Sequence, residues 1–175
     1  MTHDAPQFIL LMGVSGAGKT TIGQALAQKK GSTFLDADDF HSKENREKMA
    51  SGRPLTDADR MPWLERIHSH VTEQLKQGSS IILACSALKE SYRDKLLENL
   101  SSASAVIWLD ANKETLQKRI EQRPGHFMPA SLLQSQCETL EAPKDALRVD
   151  TNQSIEQTIQ FILKNIKQSN IQALS

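Results

Sequence analysis

Only two cysteines occur in 175 residues. Cys85 and Cys137 sit in unrelated contexts, with no CxxC spacing. A disulfide-stapled scaffold and a cysteine-built zinc site are thereby excluded, and a reduced, cytoplasmic protein is the expectation. Long hydrophobic runs are missing too. The longest apolar stretches, residues 8–12 and 81–85, are strand-sized, far short of the ~20 residues a membrane-spanning helix needs. The opening residues Met-Thr-His-Asp-Ala-Pro-Gln offer neither a basic n-region nor a small-residue cleavage site, so no secretory leader is expected. Neither charge is in excess: 21 Lys plus Arg balance 21 Asp plus Glu. A chain without a basic field has no general attraction for nucleic acid or an anionic membrane, which leaves room only for a local basic pocket. Repeats, low-complexity tracts and linkers are absent from the sequence. With 38% hydrophobic and 24% charged residues, the composition is that of a soluble globular protein. The length fits a single domain over residues 1–175, with chain enough to fill a core.

What is present is rhythm. Short apolar strands alternate with longer helical patterns, the mark of a parallel α/β sheet flanked by helices. Five strands are expected, at residues 8–12 (FILLM), 33–35, 81–85 (IILAC), 105–109 (AVIWL) and 147–149. The first is apolar at every position, as a strand covered on both faces should be. Helices are expected at 19–28, 43–50, 63–76, 92–100, 113–122 and 129–139. A last one opens at Ser154-Ile-Glu-Gln157, a capping-box pattern. Leu64, Ile67, Val71 and Leu75 recur on one face of the third helix, and Ile155, Ile159, Ile162 and Ile166 on one face of the last. Segments 51–62 and 123–129 break the rhythm with turn residues and charge. Both follow sheet elements, where α/β proteins place ligand loops.

The chemistry starts at Gly13-Val-Ser-Gly-Ala-Gly18-Lys19-Thr20, a full G-x-x-x-x-G-K-[ST] match between an apolar strand and a helix. Glycines let backbone N–H groups close around phosphate oxygens, and the helix N-terminus adds its positive end. Lys19 is placed to neutralise the β- and γ-phosphates, and Thr20 to ligate Mg²⁺. A dinucleotide fingerprint is excluded, because the last position of G-x-G-x-x-G counted from Gly16 is Thr21. Expected around the nucleotide are Gly13, Val14, Ser15, Gly16, Ala17, Gly18, Lys19, Thr20 and Thr21. The second acidic element has two candidates. Asp36 and Asp38 stand at the end of the second strand, and Asp110 ends the fourth. The first pair is favoured, because two carboxylates at i and i+2 can divide two tasks. Asp36 would hold the Mg²⁺ shell while Asp38 orients or deprotonates a hydroxyl. Asp110 reads instead as a helix N-terminal residue.

Beyond these elements, several segments resemble one family. They are Asp36-Ala-Asp-Asp-Phe-His41, Asn45-Arg-Glu-Lys-Met49, Gly52-Arg-Pro-Leu-Thr-Asp57-Ala-Asp59-Arg60-Met-Pro-Trp63-Leu64, Ala84-Cys-Ser-Ala-Leu-Lys89, Tyr92-Arg-Asp94, Gly125-His-Phe-Met128, Leu133-Gln-Ser-Gln136 and Glu138-Thr-Leu-Glu141. Together they are similar to the gluconokinases, from about Phe8 to Asp150. The resemblance implies a P-loop kinase fold with a parallel five-stranded sheet and a short lid. It also implies the reaction of ATP with D-gluconate to give 6-phospho-D-gluconate and ADP, dependence on Mg²⁺, and a homodimer. One departure is Cys137, where an aromatic often precedes Glu-Thr-Leu.

An acceptor with a carboxylate and hydroxyls needs a cation and polar groups around it. Segment 40–62 is expected to cover the acceptor, and 119–129 to form the lid. Cation candidates are Arg46, Arg53, Arg60, Lys89 and Arg93, the last two expected on one helical face. Asp38 is expected to position O6, with His41 and His126 as hydrogen-bonding groups. Arg119 and Arg123 are expected to clamp phosphates when the lid closes, Arg123 with a catalytic share beside Lys19 and Asp38. Trp63 reads as a packing residue. Two rivals remain open: another P-loop small-molecule kinase, shikimate- or nucleotide-kinase-like, and an ATP-binding switch without turnover.

Overall fold

The computed structural model describes residues 7–100, 104–124 and 130–172. Five strands form one all-parallel sheet: β1 (Phe8–Met12), β2 (Thr33–Asp36), β3 (Ile81–Ala84), β4 (Ser104–Asp110) and β5 (Leu147–Asp150). Their spatial order is β2-β3-β1-β4-β5, with Phe8 opposite Ile81 on one side and opposite Ser104 on the other. Strand side chains alternate between faces, so each buried strand feeds two cores. Ile9, Leu11, Ile82, Ile107, Leu109 and Val149 face one, and Phe8, Leu10, Met12, Ile81 and Leu83 the other.

Six of the seven α-helices among the described residues cover the two faces. α1 (Lys19–Lys30), α5 (Lys113–Glu121), α6 (Ala130–Thr139) and α7 (Ile155–Gln172) supply residues to the first core. α3 (Asp57–Lys76) and α4 (Glu90–Leu97) supply the second, with Leu64, Ile67 and Val71 fully buried. α2 (Lys43–Ala50) lies outside both cores. Ser154 and Gln157 close the expected capping box on α7. Of the four isoleucines expected on its buried face, however, Ile155 is exposed, because it stands at the first helical position, at the end of that stripe.

Two helix boundaries differ from the sequence reading. α3 starts six residues before Trp63, at a Thr56–Asp59 capping box, so Pro62 sits inside the helix rather than at its start. Thr56-x-x-Asp59 was a readable start signal that Pro62 obscured. α4 covers 90–97 rather than 92–100, and the chain turns out through Asn99 at a φ of +57°. Asn tolerates this left-handed conformation better than most residues. Segment 40–62 is therefore mostly helical. Asn45 Nδ2 donates to the Asp59 carbonyl at 3.1 Å, and Lys48 Nζ lies 2.6 Å from Asp59 Oδ2. Those bonds fix α2 to the first turn of α3.

Because all five strands run the same way, their carboxyl-end loops gather at one edge. β1 is central, so its loop is flanked by the loops after β3 and β4. Ligand sites of open α/β sheets form along this edge.

Candidate active site

The loop after β1 is built from backbone. Gly13 has a φ of +152°, and a Cβ there would stand 2.6 Å from the Leu109 carbonyl oxygen. Gly16 has a φ of +84°, and its Cβ would meet the Leu116 carbonyl oxygen at 2.9 Å. Neither backbone oxygen can swing away, so side chains are excluded at both positions. The Gly13 N–H donates to Ser86 O at 3.3 Å, which ties the loop to the end of β3. The Ser15 N–H donates to Gln136 Oε1 at 2.8 Å, across from α6. Lys19 Nζ donates to the carbonyls of Gly13 and Val14 at 2.9 and 3.1 Å. Its charged head thus rests over the rim of the loop. Burial pulls the Lys19 ammonium down from 10.5 to about 8; nearby Arg123 adds to this, while Asp38 and Asp36 oppose it.

The two carboxylates after β2 come to this rim. Thr20 Oγ1 donates to Asp36 Oδ2 at 3.3 Å, so the two side chains expected at a metal are adjacent. Asp36 Oδ1 accepts the Asp38 N–H at 3.0 Å, capping a 3-10 turn over Ala37–Phe40. That turn aims Asp38 into the cleft. Solvent reaches 87% of the Asp38 side chain, and the protein on its remaining side desolvates the carboxyl in part. Its pKa is raised, by desolvation first and the Asp36 charge second.

The turn is gripped from below by α3. Trp63 Nε1 donates to Ala37 O at 2.7 Å, and the indole stacks on His41 with ring centroids 4.3 Å apart. Trp63 is buried, as expected, but it also anchors the acidic turn. His41 Nε2 lies 3.9 Å from Asp38 Oδ1, with only 7% of its side chain exposed. Burial, then the charges of Arg46, Arg66 and Arg60, push its pKa down to about 4. His41 is therefore a neutral hydrogen-bonding group at ordinary pH. Its Nδ1 is buried without a hydrogen-bond partner among the described residues.

Several cations sit elsewhere than the spacing suggested. Arg46 spends its Nε and Nη2 on the carbonyls of His41 and Asp39, and Arg66 puts its fork on Phe40 O. Both hold the carbonyl end of the 3-10 turn. Arg53 is exposed and bonds Ser51 Oγ at 3.0 Å. Lys89 and Arg93 share no helical face, because Lys89 is the N-cap of α4 and Arg93 turns inward. Arg93 is buried, and its Nη1 donates to Ala87 O and Leu88 O at 2.9 and 3.1 Å. It holds the β3–α4 loop, in which Ala87 has a φ of +44°.

Lys89 Nζ lies 3.1 Å from both carboxylate oxygens of Asp57, and the Tyr92 hydroxyl donates to the same carboxylate. Arg60 Nη1 stands 3.9 Å from Asp57 Oδ1 and donates to Leu55 O at 2.6 Å. The Tyr92 ring lies 5.6 Å from both Arg60 Cζ and Lys89 Nζ. The Tyr92 bond, then Lys89, holds the Asp57 carboxyl below its usual range. Asp57 and Tyr92 stand in the family-like segments, but the sequence reading assigned neither a role in the site. Nothing local marks a pair 35 residues apart.

On the lid side, Arg119 Nη1 donates to Gly16 O at 3.3 Å and Thr151 Oγ1 at 3.2 Å, and Nη2 donates to Thr151 O. It bridges the phosphate loop to the loop after β5. Arg123 is exposed, close enough for its charge to lower Lys19. His126 and the rest of residues 125–129 lie outside the described residues. Asp110 stands apart from the site. Its Oδ2 receives Arg148 Nε at 3.0 Å, and Arg148 lies over the Trp108 ring at 4.8 Å. Nor does Asp110 start a helix: Asn112 caps α5, accepting from Thr115 N at 2.8 Å.

Comparison with known proteins agrees with this geometry. The AAA domain family matches residues 8–143. The gluconokinase of Gluconobacter oxydans (strain 621H) is 48% identical over 80% of this chain and 78% of its own. The thermosensitive gluconokinase of Escherichia coli (strain K12) is 42% identical over 95% and 92%. The crystal structure of a gluconokinase from Sinorhizobium meliloti 1021 superposes with a TM-score of 0.84 at 39% identity, covering 97% of both chains. A phosphate loop, an acidic turn beside it and the fold and sequence of these relatives converge on one assignment: the chain belongs to the gluconokinase family of P-loop kinases.

Proposed function

We propose that this enzyme transfers the γ-phosphoryl group of ATP to O6 of D-gluconate, releasing ADP and 6-phospho-D-gluconate. The observation that carries the mechanism is the row Lys19, Thr20, Asp36, Asp38 along one rim, with the Asp36 carboxylate accepting from both Thr20 and the Asp38 N–H. Phosphoryl transfer has a loose, charge-spread transition state, so positioning and charge compensation dominate its catalysis. The N–H groups of the 13–20 loop take the phosphate oxygens. Lys19, released from its carbonyls by phosphate, spans the β- and γ-groups, and Arg123 adds positive charge from the lid side. Asp38 orients the O6 hydroxyl in line with the γ-phosphorus. The O6–P bond forms as the bond to the β,γ-bridging oxygen breaks, and the O6 proton passes to Asp38 or water. A raised carboxyl pKa suits that exchange.

Mg²⁺ belongs to this reading. Among the described residues no three His, Cys, Asp or Glu side chains converge as a self-sufficient metal site. Mg²⁺ bound with nucleotides needs less, one or two protein oxygens plus phosphates and water. Thr20 Oγ1 and Asp36 are hard oxygen donors at the correct rim. The metal would neutralise charge on the β- and γ-oxygens.

On the acceptor side, Asp38, His41 and the cations Lys89 and Arg60 form the wall we assign to D-gluconate, with Arg46 and Arg53 at its outer margin. Arg93 acts through the loop it holds. Segments 40–62 and 119–129 serve as cover and lid of a single domain. A cytoplasmic homodimer that binds neither nucleic acid nor membrane completes the reading. No helix among the described residues is long and apolar enough to cross a membrane, and sedimentation at twice the chain mass tests the dimer.

The deciding experiment is coupled ADP release with Mg-ATP and a panel of D-gluconate, other aldonates, glucose, shikimate and nucleoside monophosphates, with Lys19→Ala as blank. Turnover with D-gluconate, lost in the blank, is expected. Turnover with shikimate or a nucleotide alone would replace the acceptor. ATP binding with no turnover would make the chain a switch.

A further inference from the structure

We infer that Asp57 sets the charge class of the acceptor, by fixing Arg60 and Lys89 as a cation pair of net charge +1 that one carboxylate neutralises. The inference rests on the proposed kinase reading and adds a specificity-determining residue to it.

The cluster stands between the two halves of the cleft. Arg60 lies one helical turn before Trp63, the residue stacked on His41, and its charge is felt at the His41 ring. Lys89 lies three residues after Ser86, whose carbonyl receives the Gly13 N–H of the phosphate loop. Asp57 joins these two ends, with 3.1 Å bonds to Lys89 and the 3.9 Å approach of Arg60. Tyr92 completes the frame. Its hydroxyl donates to Asp57, its ring faces both cations, and it is buried. Arg60 and Lys89 each keep 32% of their side chains exposed, so neither cation is sealed from solvent.

Two cations and one carboxylate sum to one positive charge. An acceptor with one carboxylate brings this three-residue cluster to neutrality. A neutral polyol leaves a cation without a counter-charge when the cleft closes, and a dianion leaves an excess negative charge. Either mismatch costs more as water is excluded. Without Asp57 the two cations would repel each other and suit a dianion. Asp57 touches neither phosphate nor the reacting hydroxyl, so it is a positioning residue acting through Arg60 and Lys89.

The test uses the full-length chain and two substitutions that move the cluster charge in opposite directions. Asp57→Asn raises it to +2, and Lys89→Gln lowers it to zero. Three quantities are read: KM and kcat for D-gluconate, kcat/KM for the neutral polyol D-glucitol, and Ki for D-glucarate. D-glucarate is the dicarboxylate of the same carbon chain, which lacks the phosphorylated hydroxymethyl group. In Asp57→Asn, D-glucarate should gain about tenfold on D-gluconate, the size of a ~1.4 kcal/mol charge effect, with kcat little changed. In Lys89→Gln, D-glucitol should gain on D-gluconate by a similar factor. Asp57→Glu, which restores the charge, should return the D-glucarate ratio towards the parent value. General structural damage lowers every activity and leaves these ratios alone, so unmoved ratios, or ratios moving the same way in both variants, overturn the role of Asp57. An unsubstituted enzyme that does not turn over D-gluconate at all overturns the acceptor assignment instead.

Discussion

The two walls of the cleft are made of different material. The phosphate wall is backbone: three glycines at positive φ, a row of N–H groups and one lysine, all within eight consecutive residues. The wall assigned to the acceptor is side chain: Asp38, His41, Arg60 and Lys89, held in place by Asp57, Trp63, Tyr92 and Arg93, from the turn after β2, α3, α4 and the loop between β3 and α4. A wall of backbone is specified locally and admits little variation, because its shape is set by dihedral angles and by the carbonyls behind Gly13 and Gly16. A wall of side chains is specified by tertiary contacts and can be retuned one residue at a time.

The sharpest break of this contrast is in Thr20 and Asp36, the pair proposed to hold the metal. Asp36→Asn should lower kcat by about 10²-fold or more, as loss of a charge-compensating group at a transferring phosphate does. Asp110→Asn, which disturbs only the Arg148 pair, should leave kcat within about twofold. Steady-state ADP release separates the two, and an equal loss in both would move the metal to β4.

Next in size is the buried guanidinium. Arg93→Met fills similar volume but leaves the Ala87 carbonyl unpaired and takes one of two bonds from Leu88 O, at a cost of about 1–3 kcal/mol. Urea unfolding should show that loss. KM for ATP and for acceptor should rise together, since one loop serves both walls; a change in only one would deny that coupling.

pH separates the walls in another way. In the free enzyme Lys19 is charged below about pH 8 and loses its proton above it. ATP phosphates favour the charged form, so binding above pH 8 should take up a proton and weaken, by at most about tenfold per pH unit. Calorimetry in two buffers of different ionisation enthalpy measures that uptake. His41, neutral down to about pH 4, should leave no mark on acceptor binding over the same range. The smallest effect is expected at the edge of the acceptor wall. Thr56→Ala removes the N-cap of α3 and should cost about 1 kcal/mol in thermal unfolding, raising acceptor KM before ATP KM.

The same difference of material explains what could be read in advance. Residues 13–20 announced themselves, because the loop's function is its local conformation. The parallel sheet was legible from the apolar runs of β1 and β3. Thr20 and Asp36 could be paired on chemistry alone. The acceptor wall resisted for physical reasons. Asp57 was overlooked because its partners Lys89 and Tyr92 lie 32 and 35 residues away. Arg93 was misread because an arginine that satisfies two loop carbonyls looks in sequence like one offered to a ligand. The capping box at Thr56 was in plain view, yet Pro62 is so strong a helix-start signal that it masked the earlier turn.

The loop of residues 85–89 has neighbours on every side of the reaction. Ser86 receives the phosphate loop, Lys89 meets Asp57, Leu88 O accepts the N–H of Glu141 beyond α6, and Glu141 in turn caps α4 at Glu90. Five residues thus splice the phosphate loop, the Asp57 cluster and the chain beyond α6 into one joint. Protein engineers who want a new acceptor should leave that joint alone. Changes there will be felt by the nucleotide as well, whereas changes in α2 and the 51–56 turn alter the pocket from a side that the phosphate loop does not touch.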